Sequence, residues 1–168
     1  MILQSLMGEF LHEAENTRKL LKAITDDSLG YKPSEINWTT GQLASHIAEI
    51  YNWYSYTFEM EVFDVVKDYK YDKGDISKAA TIVSKFEENF LKAKQTLEKA
   101  KEEDLFKNWT MNANGNPAMP TMMRVQAVRG FLMNHLYHHR GELVVYLRAN
   151  KVVVPSLYGP TYEMSQGM

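Results

Sequence analysis

Four stretches of this chain repeat apolar residues at steps of three and four, and that period restricts its fold more than any other feature. Such steps stack side chains on one face of an α-helix, whereas a half-buried strand would alternate. The first stretch, about residues 2–25, runs through Leu3, Leu6, Phe10, Ala14, Thr17, Leu21 and Ile24, and Gly30 and Pro33 close it. His12 falls outside that seam. The second, about residues 40–66, begins after Thr39, whose spacing to Gln42 is that of a capping box, and continues through Leu43, Ile47, Ile50 and Tyr54. The third, about residues 76–101, passes through Ala79, Val83, Phe86, Phe90, Ala93, Leu97 and Ala100, with lysines and glutamates outside the stripe. The fourth, about residues 121–149, follows an Asn-Gly-Asn-Pro loop and leads to an extended tail over 150–168.

Each amphipathic helix must bury its stripe, and an all-α four-helix bundle is the simplest packing that buries all four. With 168 residues and 45% hydrophobic content, the chain has enough apolar surface for one continuous core, so a single domain over 1–168 is expected. The connections between helices 1 and 2 and between helices 3 and 4 are long, so crossovers are allowed and a simple up-down order is not required. Helix 2 carries Tyr51, Trp53, Tyr54, Tyr56 and Phe58 just after Trp38. Such a segment is usually core and sometimes the wall of a substrate pocket. Its apolar surface is broader than one bundle buries, so a homodimer contact is expected to cover the remainder.

Composition removes several function classes. There is no cysteine, hence no disulfide framework, thiolate metal site or cysteine nucleophile, and any metal must be held by nitrogen and oxygen. The net charge is −2 and no long basic run occurs, which argues against nucleic acid and anionic membranes as partners. No stretch approaches about 18 apolar residues and the start lacks a basic leader, so a cytoplasmic protein acting on a small molecule is expected. Gly-x-Gly-x-x-Gly, the P-loop and His-Glu-x-x-His are absent, since Leu136 follows His135. The paired Glu-x-x-His pattern of di-iron bundles is missing as well.

The histidines remain. The seam of helix 4 reads Val128, Leu132, His135, His139, Leu143, Tyr146, so two imidazoles occupy places that packing would give to Leu or Ile. Residues four apart on a helix lie roughly 5–6 Å apart at their β-carbons, so both rings can converge on one cation. Neutral imidazole is the commonest metal ligand. A functional site of the zinc type has three protein ligands and an open position. His46, bordering the stripe of helix 2, is the candidate third. A single core histidine would be read as a hydrogen-bonded packing residue. Three imidazoles facing one core each carry a desolvation cost that a shared cation removes. His138 is turned about 100° from His139 and is at best a supporting group. Glu142, three residues after His139, is placed to orient an imidazole or accept a proton, and is the one candidate catalytic residue. Glu49 stands in the same relation to His46, with a solvated carboxylate as the plainer reading.

These residues resemble the DinB/YfiT-like superfamily. The match lies in Gln42-Leu43-Ala44-Ser45-His46-Ile47-Ala48-Glu49 and in His135-Leu136-Tyr137-His138-His139-Arg140-Gly141-Glu142-Leu143, which is similar to the family's His-x-x-His-His-Arg-Gly-Gln-Leu run. The end Val154-Pro155-Ser156-Leu157-Tyr158-Gly159-Pro160 is similar too. Glu142 departs from the pattern, where Gln is frequent. The resemblance implies an up-down-down-up four-helix bundle with a right-handed crossover, frequent dimers, and one metal held by His46, His135 and His139. It spans thiol S-transferases using bacillithiol, mycothiol-dependent isomerases, proteins described as metal-dependent hydrolases, and members without assigned chemistry.

The leading expectation is therefore an enzyme with one divalent metal, zinc first and nickel second, that activates water for hydrolysis or a low-molecular-weight thiol for transfer. Arg124, Arg129 and Arg140 are available to grip such a thiol. The alternative is a non-catalytic, stress-related metal-binding bundle, with a metal-free bundle of hydrogen-bonded histidines as the third reading.

Overall fold

Thr39 and Gln42 do close a capping box: the Thr39 hydroxyl accepts the Gln42 backbone N–H at 3.2 Å, and the Gln42 side chain accepts that of Thr39 at 2.8 Å. In the computed structural model, which describes residues 1–167, helix α2 starts there and covers Thr40–Ile50. Helix α1 covers Ile2–Lys22 and α4 covers Ala79–Lys99, close to their predicted bounds. The last long helix, α6, covers Asn134–Ala149.

Helices α1 and α2 each pack against both α4 and α6. The predicted seam of α1 is the buried one: Leu6, Phe10, Ala14, Thr17, Leu21 and the following Ile24 are all buried. Phe10 lies at the centre, with ring centroids 5.8 Å from Tyr51, 5.0 Å from Tyr54 and 5.6 Å from Phe90, which links three helices. Burial of such a side chain contributes roughly 1.5–3 kcal/mol.

The chain is mostly helical, but the all-α expectation needs correction. The predicted helix 2 does not reach residue 66. It turns at Tyr51 and Asn52, resumes as α3 over Trp53–Glu59, and becomes strand β1 at Val62–Asp64. Val62, Phe63, Val65 and Val66 are β-branched or aromatic, and their preference for a pleated, half-buried surface overrides the helical period. The predicted loop and the start of helix 4 hold three further strands: β2 at Asn108–Ala113, β3 at Asn116–Pro117 and β4 at Met122–Met123. Strand β2 pairs in parallel with β1 and antiparallel with β3 and β4. Between β2 and β3, Asn114 and Gly115 adopt positive φ of 52° and 81°, the geometry a two-residue hairpin turn demands. The Asp64 carboxylate accepts the backbone N–H groups of both, at 3.1 and 2.6 Å, and fastens this turn to the end of β1.

Helix 4 accordingly begins at Arg124 rather than about 121. It passes from a short α5, Arg124–Gln126, into a π-helical turn over Ala127–Met133 before α6. The tail is not wholly extended either, because Tyr162–Ser165 form one further helical turn, α7, while Met168 lies outside the described residues. The sheet also changes the reading of the helix 2 aromatics. Tyr56 and Met60 pack on a second buried cluster of Phe63, Trp109 and Ala127. The chain's own sheet thus covers part of that aromatic stripe.

Candidate metal centre

His46 enters the site from α2, one turn past the capping box, and His135 and His139 enter from α6 just beyond the π-helical turn. All three are half-buried, and one nitrogen from each lies within 4.8 Å of those of the other two. The ring centroids of His135 and His139 are 4.6 Å apart, and His46 stands 5.0 and 4.8 Å from them. The structure therefore brings together the three residues singled out by the seams.

Carboxylates orient two of the rings. His46 Nδ1 lies 3.1 Å from Glu49 Oε2, and His139 Nδ1 lies 2.7 Å from Glu142 Oε2. A carboxylate only accepts, so each Nδ1 carries the proton and each Nε2 presents a lone pair. Glu49 is anchored in turn by the Tyr69 hydroxyl, which donates to Oε1 at 2.6 Å. Burial raises the Glu49 carboxyl, but the hydrogen bonds from His46 and Tyr69 outweigh it and hold its pKa below the ordinary value. Burial raises the Tyr69 hydroxyl, and the bond to Glu49 raises it further, so it stays a donor.

Burial, followed by the neighbouring His139 and His46 rings, pushes His135 down to about 4. Burial also lowers His139, against the opposing pull of Glu142. Both are neutral near pH 7 and free to donate a lone pair. His46 Nε2 and His135 Nε2 share a hydrogen bond at 3.2 Å, while His135 Nδ1 is buried with no hydrogen-bond partner among the described residues. A buried polar atom without a partner is unfavourable by itself, and without a cation one of the two Nε2 atoms must donate to the other; a cation among the three rings would take the place of that proton. The donor set, three neutral imidazoles with carboxylates behind two of them, fits a zinc-type ion.

Aromatic rings enclose the triad. Trp38, on the loop before α2, lies 5.1 Å from His46 and stacks on His139 at 5.8 Å, half-exposed above both. Trp53 is 5.5 Å from both His46 and His135, and Phe131, from the π-helical turn, is 5.7 Å from His135. A cavity of about 230 Å³ opens beside His139 and Glu142, walled by Ile36, Asn37 and Trp38.

The remaining candidates divide. His12 is exposed and meets Asn16, while His138 is exposed with its Nε2 3.5 Å from Glu142 Oε1. Both oxygens of Glu142 thus face histidines. The three arginines are engaged elsewhere: Arg140 is buried against Glu13, Arg129 pairs with Glu9, and Arg124 donates to the Met60 carbonyl and packs on Phe58. Tyr69 and Phe131 were not anticipated. Tyr69 sits in an irregular segment without period, and a helical reading offers no reason to bring it to Glu49.

Comparison with known proteins bears on the family and the fold. The model of the DinB family matches residues 2–168. The uncharacterized protein YrdA of Bacillus subtilis strain 168 is 28% identical over 153 residues, 90% of this chain and 84% of YrdA. A DinB-like protein from Bacillus cereus ATCC 10987 has a similar fold, with a TM-score of 0.72, 24% identity, and coverage of 92% of this chain and 97% of its own. The DinB-like protein YjoA from Bacillus subtilis also gives a TM-score of 0.72, at 19% identity, covering 91% of this chain and 97% of its own.

Proposed function

The chain belongs to the DinB family, and from that premise we propose that it is an enzyme whose His46, His135 and His139 hold one divalent cation, zinc first and nickel second. The observation that carries this reading is the half-buried triad with two of its rings set by Glu49 and Glu142. A cation bound there would lower the pKa of a water molecule or a thiol, supplying a nucleophile near neutral pH. Glu49, fixed by Tyr69, holds the His46 tautomer, and Glu142 does the same for His139. Glu142 is thereby a positioning residue first, since both its oxygens are directed at imidazoles. Trp38 and Trp53 limit solvent around the rings, and the cavity beside His139 is the approach for a small-molecule substrate.

Of the two reactions, hydrolysis is the better supported, because Arg124, Arg129 and Arg140, the arginines expected to grip an anionic thiol cofactor, are all engaged away from the triad. Thiol transfer uses the same ligands and is the alternative reaction, and a non-catalytic metal-binding bundle is the alternative class. For the architecture we propose a single-domain four-helix bundle in up-down-down-up order, supported by the packing of α1 and α2 on both α4 and α6. No helix among the described residues is long and apolar enough to cross a membrane, in keeping with the proposed cytoplasmic location.

The test is metal content by mass spectrometry on protein prepared without a histidine tag, beside the His135→Ala/His139→Ala variant. About one equivalent of metal, lost in the variant, is expected. Two metal-free proteins that also refuse added zinc and nickel would overturn the reading. Ester or amide turnover without thiol supports hydrolysis, and a thiol-dependent rate lost in His139→Ala supports transfer.

A further inference from the structure

On the His135 side of the triad lies a second cavity, of about 290 Å³, lined by Trp53, Phe63, Val65, Tyr69, Met111 and Phe131. Its exposed walls are wholly apolar. A buried water needs two to four polar partners, and this chamber offers none, so an apolar occupant is favoured over solvent. A cavity of about 150 Å³ suffices for benzene. The present chamber has room for a two-ring system or a ring with a short branched chain.

Three of its walls also belong to the triad's surroundings. Trp53 touches His46 and His135, Phe131 touches His135, and Tyr69 holds the carboxylate that orients His46. Trp53 and Phe131 stand parallel, 5.4 Å between centroids at an interplanar angle of 9°. Phe63 and Met111 come from adjacent residues of β1 and β2 in register, and Phe131 comes from the π-helical turn, a distortion that recurs at functional sites. The sheet and the distorted turn thus build one apolar, largely aromatic box beside the histidine triad.

We propose that this chamber is the specificity pocket of the site, and that the substrate carries a flat or branched apolar arm held between Phe63, Met111 and Phe131 while its reacting polar group lies at the histidine triad. The inference rests on the metal-centre reading, and its test separates the two. Zinc-loaded protein would be titrated calorimetrically with acetohydroxamate, a metal-binding head without an arm, and with 2-naphthohydroxamate, the same head with one. Each buried methylene-sized group strengthens binding roughly fourfold, so the naphthyl compound should bind at least about tenfold tighter and shift the Met111 methyl resonance. Val65→Trp, or the milder Val65→Phe, fills the chamber without touching a histidine. Either variant should erase the naphthyl gain while leaving zinc content and acetohydroxamate affinity unchanged. A gain that survives both variants, or no gain while acetohydroxamate binds, overturns the proposal. If neither hydroxamate binds because no zinc is held, the metal reading has failed, and 2-methylnaphthalene on the metal-free protein decides the chamber alone. A saturable Met111 shift lost in the Val65 variants supports the pocket, and an unmoved resonance overturns it.

Discussion

Replacing Glu13 by alanine should be among the most damaging single changes in this protein, although Glu13 touches neither the histidines nor either cavity. Arg140 follows His139 directly, yet the 100° step of the helix turns it inward, where its side chain is 2% exposed and that of Glu13 is 9%. The guanidinium meets the Glu13 carboxylate and the Tyr158 hydroxyl, and it donates to the Glu13 carbonyl at 2.9 Å and the Thr17 hydroxyl at 3.3 Å. Its Nε has no partner among the described residues. Breaking a buried ion pair from one side costs about 3–5 kcal/mol, because the remaining charge stays desolvated. The neutral acceptors left to Arg140 place Glu13→Ala at the lower end, about 3 kcal/mol. For a chain of this size, at roughly 2–4 °C per kcal/mol, Tm should fall by about 6–12 °C. Glu13→Leu/Arg140→Met removes both charges together and should lie within about 1 kcal/mol of the parent. Urea unfolding followed by circular dichroism reads both values. A single variant within about 1 kcal/mol of the parent, or a double variant as unstable as the single, would refute the account of an electrostatically committed core.

Two further outcomes follow from the triad's surroundings. Glu49→Gln removes the charge behind His46 and should weaken zinc binding about 10–100-fold in competition with a chromophoric chelator, with Tyr69→Phe weaker in the same direction; unchanged affinity in both would sink the orienting role. In metal-free protein, the His135 imidazole resonance should titrate near 4 rather than its ordinary value. The unfolded chain binds that proton from about pH 6.5 downward while the native chain does not, so stability should fall as pH drops from about 6.5 to 4. The loss is at most about 3 kcal/mol and smaller in practice, because the ring is only half-buried. His135→Leu should abolish it, and a His135 resonance titrating near 6.5 would contradict it.

The helical seams and the shared face of His135 and His139 were legible in the residues because both depend on local period. A step of four carries His135 and His139 to one face whatever else the chain does, and Thr39 with Gln42 marks a helix start through bonds within a single turn. The arginines were less legible. Arg124, Arg129 and Arg140 all looked available as anion grips, because sequence gives charge but not partner, and Glu9 and Glu13 lie more than a hundred residues away from theirs.

The sheet shows where local period loses. Val62, Phe63, Val65 and Val66 continue a helical pattern on paper, but their side chains favour a pleated strand once β2 is beside them, and β1 pairs with a segment 48 residues further along the chain. The Asn114-Gly115 pair carries a hairpin signal, but the strand after it, β3, is only two residues long and offers no alternating run to read. By itself, then, the sequence determined four helical seams, the absence of thiolate chemistry and three imidazoles bound for one core. Only the tertiary structure decided what stands around them: Tyr69 behind Glu49, Trp38 over His139, and a chamber lined by Phe63, Met111 and Phe131. Those contacts join segments whose own residues carry no local preference for one another, and they form only once the long helices have brought the segments together.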